Sequence, residues 1–555
     1  MARHTLELAL VADRDLPGPL TSQIAGQLRD ALTDGRLATG ERLPSTRGLA
    51  DLLGVSRTVV TGAYAQLFAE GWVEGRHGSG TYVAAGAPGG PGRGGPARAG
   101  LDGSSPRAAT HAGAAARAEA GLPSAAGSPA QISAGLPAVA GTSAAAGSPA
   151  VAGFPAVAGS PAQAGAERAE PWAGDGLSRG AGGPFDLRPG IAWTAGIDRA
   201  AWRRAWRGAA ARVPPGLPDP QGNAALRAAL TGYLRRSRGV HCTAGQIVVT
   251  RGVAGSLALI AIALLQPGDR VGVEEPGYPA ARAVFAAHGL HTVPCPVDSG
   301  GLVPDALPDG LRLVYTTPAH QYPLGGRLSV PRRRALISWA RASGALIVED
   351  DYDGEFRYDV APLPALFGLA PDVVMYLGTA TKILTPVLRV GWLAARPALA
   401  ARLAAAAATV GDWASGPAQD ALSGFIADGD LERHVRRMRH DYARRRGAMT
   451  AVFGDHRAGW LLGDEAGMHM VLETRQPATW VAAAAAARGV SVATLDRYFA
   501  GPVTRNGLVL GYGGAPLPDV ARGCEILADV LVTAGSLPTG ATSGDITASG
   551  STNQD

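Results

Sequence analysis

The chain is almost without lysine. Among its 555 residues there is one, Lys382, and every other Lys/Arg position is arginine. A sequence that has exchanged lysine so completely keeps it where arginine cannot serve, and arginine cannot lose its proton and attack a carbonyl. That is one reading of Lys382; a surface lysine left by chance is the other. Cysteine is scarce as well. Cys242, Cys295 and Cys524 are far apart and odd in number, which excludes a disulfide framework and a cysteine metal site. No apolar run reaches membrane-spanning length, and the opening MARHTLELALVADRDLPG has acidic residues where a secretory apolar core would stand. These absences lead us to expect a cytoplasmic protein with no membrane partner and no metal centre. The formal net charge of +5 is a mild excess for so long a chain, compatible with nucleic acid but not diagnostic of it.

Glycine (77) and proline (41) are abundant but uneven, and their distribution divides the chain. Residues 1–83 are mixed, charged and helical in period. Residues 84–184 are dominated by Ala, Gly, Pro and Ser, with degenerate repeats such as AGSPAVAGFPAVAGSPAQAG. That stretch has too few large apolar side chains to build a core and reads as a disordered linker. Roughly a hundred flexible residues have an r.m.s. span of about 50–60 Å. Residues 185–535 alternate short apolar strands with longer helical stretches, the pattern of an α/β domain with a largely parallel sheet. The polar remainder, 536–555, reads as a disordered tail.

In the first zone, residues 20–36 predict an amphipathic helix with Ile24, Leu28, Ala31 and Leu32 on one face. Ser45 can cap a second helix through Leu49, Leu52 and Leu53, ending at Gly54. Ser56 can cap a third, with Val59, Ala63, Tyr64 and Leu67 facing inwards. Two helices joined at Gly54-Val55 have helix-turn-helix form, and the exposed first turn of the second, with Arg57 and Thr58, would face base edges. WVEGRHGSGTYVA then reads as a hairpin wing with Gly78 and Gly80 at its tip. A small helical domain with no ligand fits the pattern too. The run GERLPSTRGLADLLGVSRTVVTGAYAQLFAEGWVEGRHGSGTYV, however, closely resembles the winged helix-turn-helix domain (α+β) of the GntR family of bacterial regulators. The resemblance implies double-stranded operator DNA as partner, contacted by Arg47, Ser56, Arg57 and Thr58, with Gly80 in the wing.

In the third zone, four apolar strands each end in a polar cluster: QIVVT before Gly252, LVYT before TPAHQYPLG, ALIV before Glu349-Asp350-Asp351-Tyr352-Asp353, and VVMYL before GTATK. In open α/β sheets ligands bind outside the carboxyl ends of the strands, so all four clusters fall at one place. Pyridoxal 5′-phosphate (PLP) needs an amine, an anion for its pyridine nitrogen, a donor for its phenolic oxygen, an aromatic face and an anion nest. Lys382 supplies the amine and Asp350 the anion. Tyr352 can reach the phenolic oxygen and Tyr278 can lie over the ring. The amides of Val253 and Ala254 after the Gly252 turn serve the phosphate, helped by Thr379, Thr381 and Arg389. Each has a plain structural reading as well: a carboxylate cluster after a strand is often a solvated turn or cap, and an arginine after a proline is commonly on the surface. His320 reads as a structural hydrogen-bonder. What unites them is that they surround the one lysine.

Residues 185–535 resemble the fold-type I, PLP-dependent aminotransferases. PGYPAAR, TPAHQYPLG, VEDDYDGEFRY, GTATKILTPVLRVGW and LERHVRRMRHDYARRR are closest to the MocR/GabR branch of GntR regulators. The resemblance implies that Lys382 carries PLP as a Schiff base, Asp350 pairs with the pyridinium, Tyr352 with the phenolic oxygen, Tyr278 stacks and Arg389 holds phosphate. It also implies a head-to-tail homodimer in which each DNA-binding domain reaches over the other subunit. Three departures stand out. Tyr322-Pro323 replaces the Asn-Pro of aminotransferases, and Leu217-Pro218-Asp219-Pro220 replaces a tyrosine-bearing phosphate contact. The segment Gly507–Gly514 carries no arginine for a substrate carboxylate, and Arg505 is near but not convincingly placed. The expectation is a PLP-dependent transcriptional regulator that senses an amino compound, or PLP itself, at Lys382. Two rivals remain: a working aminotransferase with an appended DNA-binding domain, and a DNA-binding module with a PLP-free dimerisation domain.

Overall fold

The computed structural model describes residues 10–13, 19–33, 36–38, 40–76, 80–84, 183–358, 364–454 and 460–535. The expected linker lies outside them except for residues 84, 183 and 184, and the expected tail lies outside them entirely. Gly78, expected at the wing tip, also lies outside the described residues.

The first folded part consists of α1 (Leu20–Thr33), α2 (Thr46–Leu53), α3 (Arg57–Ala69) and an antiparallel hairpin of β1 (Val73–Arg76) and β2 (Gly80–Val83). Helical spacing puts Ile24, Leu28, Ala31 and Leu32 on one buried face of α1, against Leu49, Val60, Leu67, Trp72 and Val83. The Ser45 hydroxyl accepts the Gly48 amide at 3.0 Å, and Gly54, at φ 62°, ends α2. Leu52 of α2 is 66% exposed. One detail differs from expectation. Ser56 has the extended backbone of a cap but makes no side-chain capping bond; this helix start is open to solvent, and water can satisfy its amides.

The larger part is built on an eight-stranded sheet. Its order is Ile247–Thr250, Gly391–Ala394, Val374–Thr379, Leu346–Asp350, Leu313–Thr316, Arg270–Glu275, His291–Asp298, Gly301–Leu302. The run from Val374–Thr379 to His291–Asp298 is mutually parallel; Gly391–Ala394 is antiparallel to both neighbours. Both faces are covered, which is why Val374–Thr379 is buried at every residue. Leu226, Tyr233, Trp392 and Phe425 pack on one side, and Leu257, Ile260, Phe285 and Leu403 on the other. A second sheet, Trp460–Leu462, His469–Glu473, Gly507–Gly511 and Ala493–Thr494, packs against the helices Asp430–Phe453 and Leu517–Gly535. Among the described residues no helix is long and apolar enough to cross a membrane.

The two parts touch. Val330, at the start of the helix Val330–Ser343, packs into the core of the first, and its amide donates to the Glu70 carbonyl at 3.2 Å. The Arg334 guanidinium lies over the Trp72 ring, 5.2 Å from its centre. Glu70 is itself held by a two-point ion pair with Arg29, at 2.6 and 2.8 Å.

Between Glu349 and Glu355 five carboxylates are buried, and all but one have a structural duty. Glu349 accepts the amides of Leu366 and Phe367, at 2.7 and 2.9 Å. Asp351 pairs with the buried Arg238 and accepts the Tyr376 hydroxyl at 2.8 Å. Asp353 holds His320, and Glu355 accepts the Tyr233 hydroxyl at 2.8 Å. A buried pair broken on one side leaves a charge with no solvent and no partner. Asp351→Ala is therefore expected to cost about 3–5 kcal/mol, most of it recovered by adding Arg238→Met. An unchanged urea midpoint for the single variant would contradict this.

Candidate functional site

The four strand ends named from sequence converge on one cavity of about 400 Å³. Its wall contains all ten residues expected to serve a cofactor: Tyr278, Gly252, Val253, Ala254, Asp350, Tyr352, Thr379, Thr381, Lys382 and Arg389.

Lys382 stands in a single helical turn, Ala380–Ile383, directly after the strand Val374–Thr379. The Thr379 hydroxyl accepts the Thr381 amide at 3.1 Å and fixes that turn. Lys382 is half-buried and its Nζ donates to the Gly190 carbonyl at 2.7 Å. Asp350 ends the neighbouring parallel strand and is buried. One carboxylate oxygen, Oδ2, accepts the Tyr315 hydroxyl at 2.5 Å; the other, Oδ1, is buried with no hydrogen-bond partner. Burial pushes the Asp350 carboxyl up to about 7; Asp351 and Asp353 push the same way, and Tyr315 and Lys382 oppose them.

At the other end of the cavity, Gly252 takes φ +83° and opens the helix Gly252–Leu264. That positive φ turns the chain from strand to helix within one residue and presents the first-turn amides of Val253 and Ala254. The hydroxyls of Thr379 and Thr381 each lie 4.0 Å from the point a Gly252 Cβ would occupy. Arg389 is the one non-glycine at positive φ (51°) among the described residues. It is exposed, and among those residues its side chain has no ion-pair or hydrogen-bond partner. A left-handed arginine with an uncommitted guanidinium is the kind of local strain that accompanies ligand contact. The amides, the two hydroxyls and this cation line one cavity and together could hold an anion.

Tyr278 meets Tyr322 edge-on, ring centres 5.9 Å apart. Tyr352 lines the cavity, but its hydroxyl donates to the His320 carbonyl and also lies against His320 Nδ1, each at 3.0 Å. Sequence reasoning missed Tyr315, Met468, His469, Gly190 and Arg251 in the wall; Thr317, Tyr322 and Asp353 stand in the strand-end clusters it placed there without a role. Tyr315 was one alternation away from detection, since it sits inside a strand whose end was already singled out. Nothing near His469 in sequence announces it. His320, Asp353 and His469 place one possible ligand atom each within 4.8 Å of one another, a grouping that no metal motif had signalled. Arg505 pairs with Glu473 at 2.7 Å and is not in the cavity wall. In the first part, Arg47, Ser56, Arg57 and Thr58 are all exposed at the starts of α2 and α3, and Gly80 begins β2. Arg42, not anticipated, lies against Gly80, 3.0 Å from where its Cβ would be.

Asp350 makes the protein's stability depend on pH in a defined sense. Its folded pKa lies above the ordinary 3.8, so its stabilising share is complete below about pH 4 and is lost as pH rises through 7. Asp350→Asn removes that loss. In cofactor-free protein the variant is expected to exceed wild type at pH 8 by on the order of 2–4 kcal/mol. The gap should close toward pH 4. Equal unfolding midpoints at pH 8 would contradict the assignment.

Comparison with known proteins follows the same division. Residues 20–83 match the family described as bacterial regulatory proteins, gntR family, and residues 200–499 that described as aminotransferase class I and II. The chain is 33% identical over 508 residues to the HTH-type pyridoxine biosynthesis transcriptional regulator PdxR of Corynebacterium glutamicum, covering 91% of this chain and 95% of that one. It is 32% identical over 543 residues to the probable rhizopine catabolism regulatory protein MocR of Rhizobium meliloti, covering 95% and 98%. The fold of the larger part is that of the kynurenine aminotransferase of Pyrococcus horikoshii, with a TM-score of 0.58, 24% identity, and 63% of this chain and 91% of that chain covered. The two regulators span both parts in one polypeptide, and the chain belongs with them to the MocR/GabR branch of the GntR-family transcriptional regulators, in which a DNA-binding helix-turn-helix domain is joined to an aminotransferase-like one.

Proposed function

We propose that this regulator holds PLP in the cavity through Lys382 and changes its hold on operator DNA when the occupant of that cavity changes. The observation that carries the reading is Asp350 Oδ1, a buried carboxylate oxygen without a donor in the same cavity as the chain's one lysine. An acceptor left unmade in a dry site costs free energy unless a ligand completes it, and a pyridinium N–H is a donor of the right kind. Once bound, PLP would supply an electrophilic carbon to which an amine can add. The rest falls to the protein. Lys382 provides the amine, Asp350 keeps the ring nitrogen protonated, and Tyr278 covers the ring. The amides of Val253 and Ala254, with Thr379, Thr381 and Arg389, take the phosphate.

Two effectors fit: an amino compound, and PLP itself, the latter supported by the relative named for pyridoxine biosynthesis. Transamination is the weaker reading, because the arginine nearest the place for a substrate carboxylate is committed to Glu473. Chain connectivity supports a route to the DNA-binding domain. The loop that begins with Thr317 and carries Tyr322 past the cavity leads into the helix start at Val330, on which that domain's core rests. In a head-to-tail homodimer working in the cytoplasm, the exposed Arg47, Ser56, Arg57 and Thr58, with Gly80 of the wing, would meet the duplex. Arginine there can grip phosphate or read guanine.

Absorbance tests the cofactor assignment. Wild type incubated with PLP and desalted is expected to keep a visible band near one equivalent, and Lys382→Ala to lose it. A wild type that stays colourless refutes the proposal. On the DNA side, Arg57→Ala is expected to weaken binding to an operator duplex by about 10- to 100-fold, corresponding to ~1–3 kcal/mol. Unchanged affinity would remove Arg57 from the interface.

A further inference from the structure

Behind Tyr352 stands a polar pair that the reading above leaves unused. The side chains of His320 and Asp353 are 2% and 1% exposed, and Nδ1 of His320 lies 3.0 Å from Asp353 Oδ2. The same nitrogen lies 3.0 Å from the Tyr352 hydroxyl oxygen, and that hydroxyl is 3.0 Å from the His320 carbonyl. The His320 and Tyr352 rings are within 27° of parallel, 6.1 Å apart. On the far side, Gly467 holds φ +76°, and a Cβ there would fall 2.6 Å from Asp353 Oδ2 and closer still to the His320 ring. Only a glycine backbone can seal the pair at that distance. His469, ring centre 4.9 Å from that of His320, has its Nε2 on the Pro323 carbonyl at 2.9 Å, and burial pushes its pKa down to about 3, so it is neutral.

A count of donors shows what the pair can do. Tyr352 has one O–H and here gives it to a backbone carbonyl. It cannot give the same proton to an oxygen in the cavity. Were the hydroxyl to turn inwards, its oxygen would remain held by the Nδ1–H of His320. The Asp353 carboxylate shares that single N–H and fixes the tautomer in which Nδ1 carries it, so that Nδ1 meets the Tyr352 oxygen as a donor. We propose that Asp353 and His320 are positioning residues that hold the Tyr352 oxygen in either orientation and deliver its hydroxyl to the phenolic oxygen of the bound cofactor. This rests on the cofactor reading given above. The charged and titratable groups around Tyr352 are Asp350 and Asp353 of its own segment, Glu274, Tyr512 and His469, and His469 in turn faces His320, Asp353 and Lys382. His320 thus reaches the cavity through Tyr352 rather than by touching an occupant.

The test is a pH titration of the Lys382-dependent visible band in PLP-loaded protein, with thermal melting of each variant alongside. A donor on the phenolic oxygen draws off the charge that holds the neighbouring proton, so its loss raises the titration midpoint. Tyr352→Phe and His320→Phe are each expected to raise the midpoint by about one pH unit, a tenfold change in the equilibrium. Adding His320→Phe to Tyr352→Phe should produce no further shift. Asp353→Asn keeps the shape and loses the charge, and should give a smaller rise; it serves also if His320→Phe does not fold. A melting change with no spectral change, or an equal spectral shift with and without the Tyr352 hydroxyl, overturns the proposal. A wild type that never acquires the band defeats the cofactor reading itself, before any variant is compared, and the proposal with it.

Discussion

A carboxylate with one oxygen left without a donor, deep in a folded protein, is the constraint on which this structure turns. Between Glu349 and Glu355 the chain buries five acidic side chains, and such a density is tolerable only if each charge has its own support. Four are tied to amides, a guanidinium, an imidazole or a hydroxyl within the protein. Asp350 is held by Tyr315 on one oxygen only; its Oδ1 has no donor, and although Asp351 Oδ1 and Glu355 Oε2 share that condition, of the three residues only Asp350 lines the cavity that also holds Lys382. The open oxygen leaves the site with a demand for a hydrogen-bond donor.

The parallel sheet makes that demand local. Strand ends from residues far apart in sequence arrive at one edge, so an amine, an acid and an anion nest share one wall although each comes from a different strand. Gly252 and Arg389 both take left-handed conformations in the cavity wall, and Arg389 does so without a glycine's freedom. The loop after Leu313–Thr316 runs from the cavity wall to Val330, which packs into the core of the helix-turn-helix part.

Much of this was legible beforehand. The one lysine was visible because arginine had replaced all the others, and the strand-end rule placed Asp350, Gly252 and Thr379 beside it before any coordinates. In the first domain, helical spacing identified the buried faces, and Ser45 and Gly54 marked the ends of α2 correctly. What was not legible depended on partners distant in sequence. Tyr315 looked like one more apolar strand residue, and His469 lies on another sheet, so neither the support of Asp350 nor the company of His320 could be read locally. Ser56 has the right residue type and backbone for a cap yet makes no such bond, a difference from the equally exposed Ser45 that residue type does not reveal. The left-handed Arg389 carries no sequence signal at all, since propensity argues against it.

The central claim is that occupancy at Lys382 is felt at the DNA. The most direct measurement is the dissociation constant for one operator duplex, selected from random sequence by this protein, measured by fluorescence anisotropy at fixed salt with cofactor-free and PLP-loaded wild type and with Lys382→Ala. A coupled site predicts that PLP changes the wild-type constant by about fivefold or more and leaves that of Lys382→Ala unmoved. Three identical constants would show that the two domains share a chain without sharing a signal.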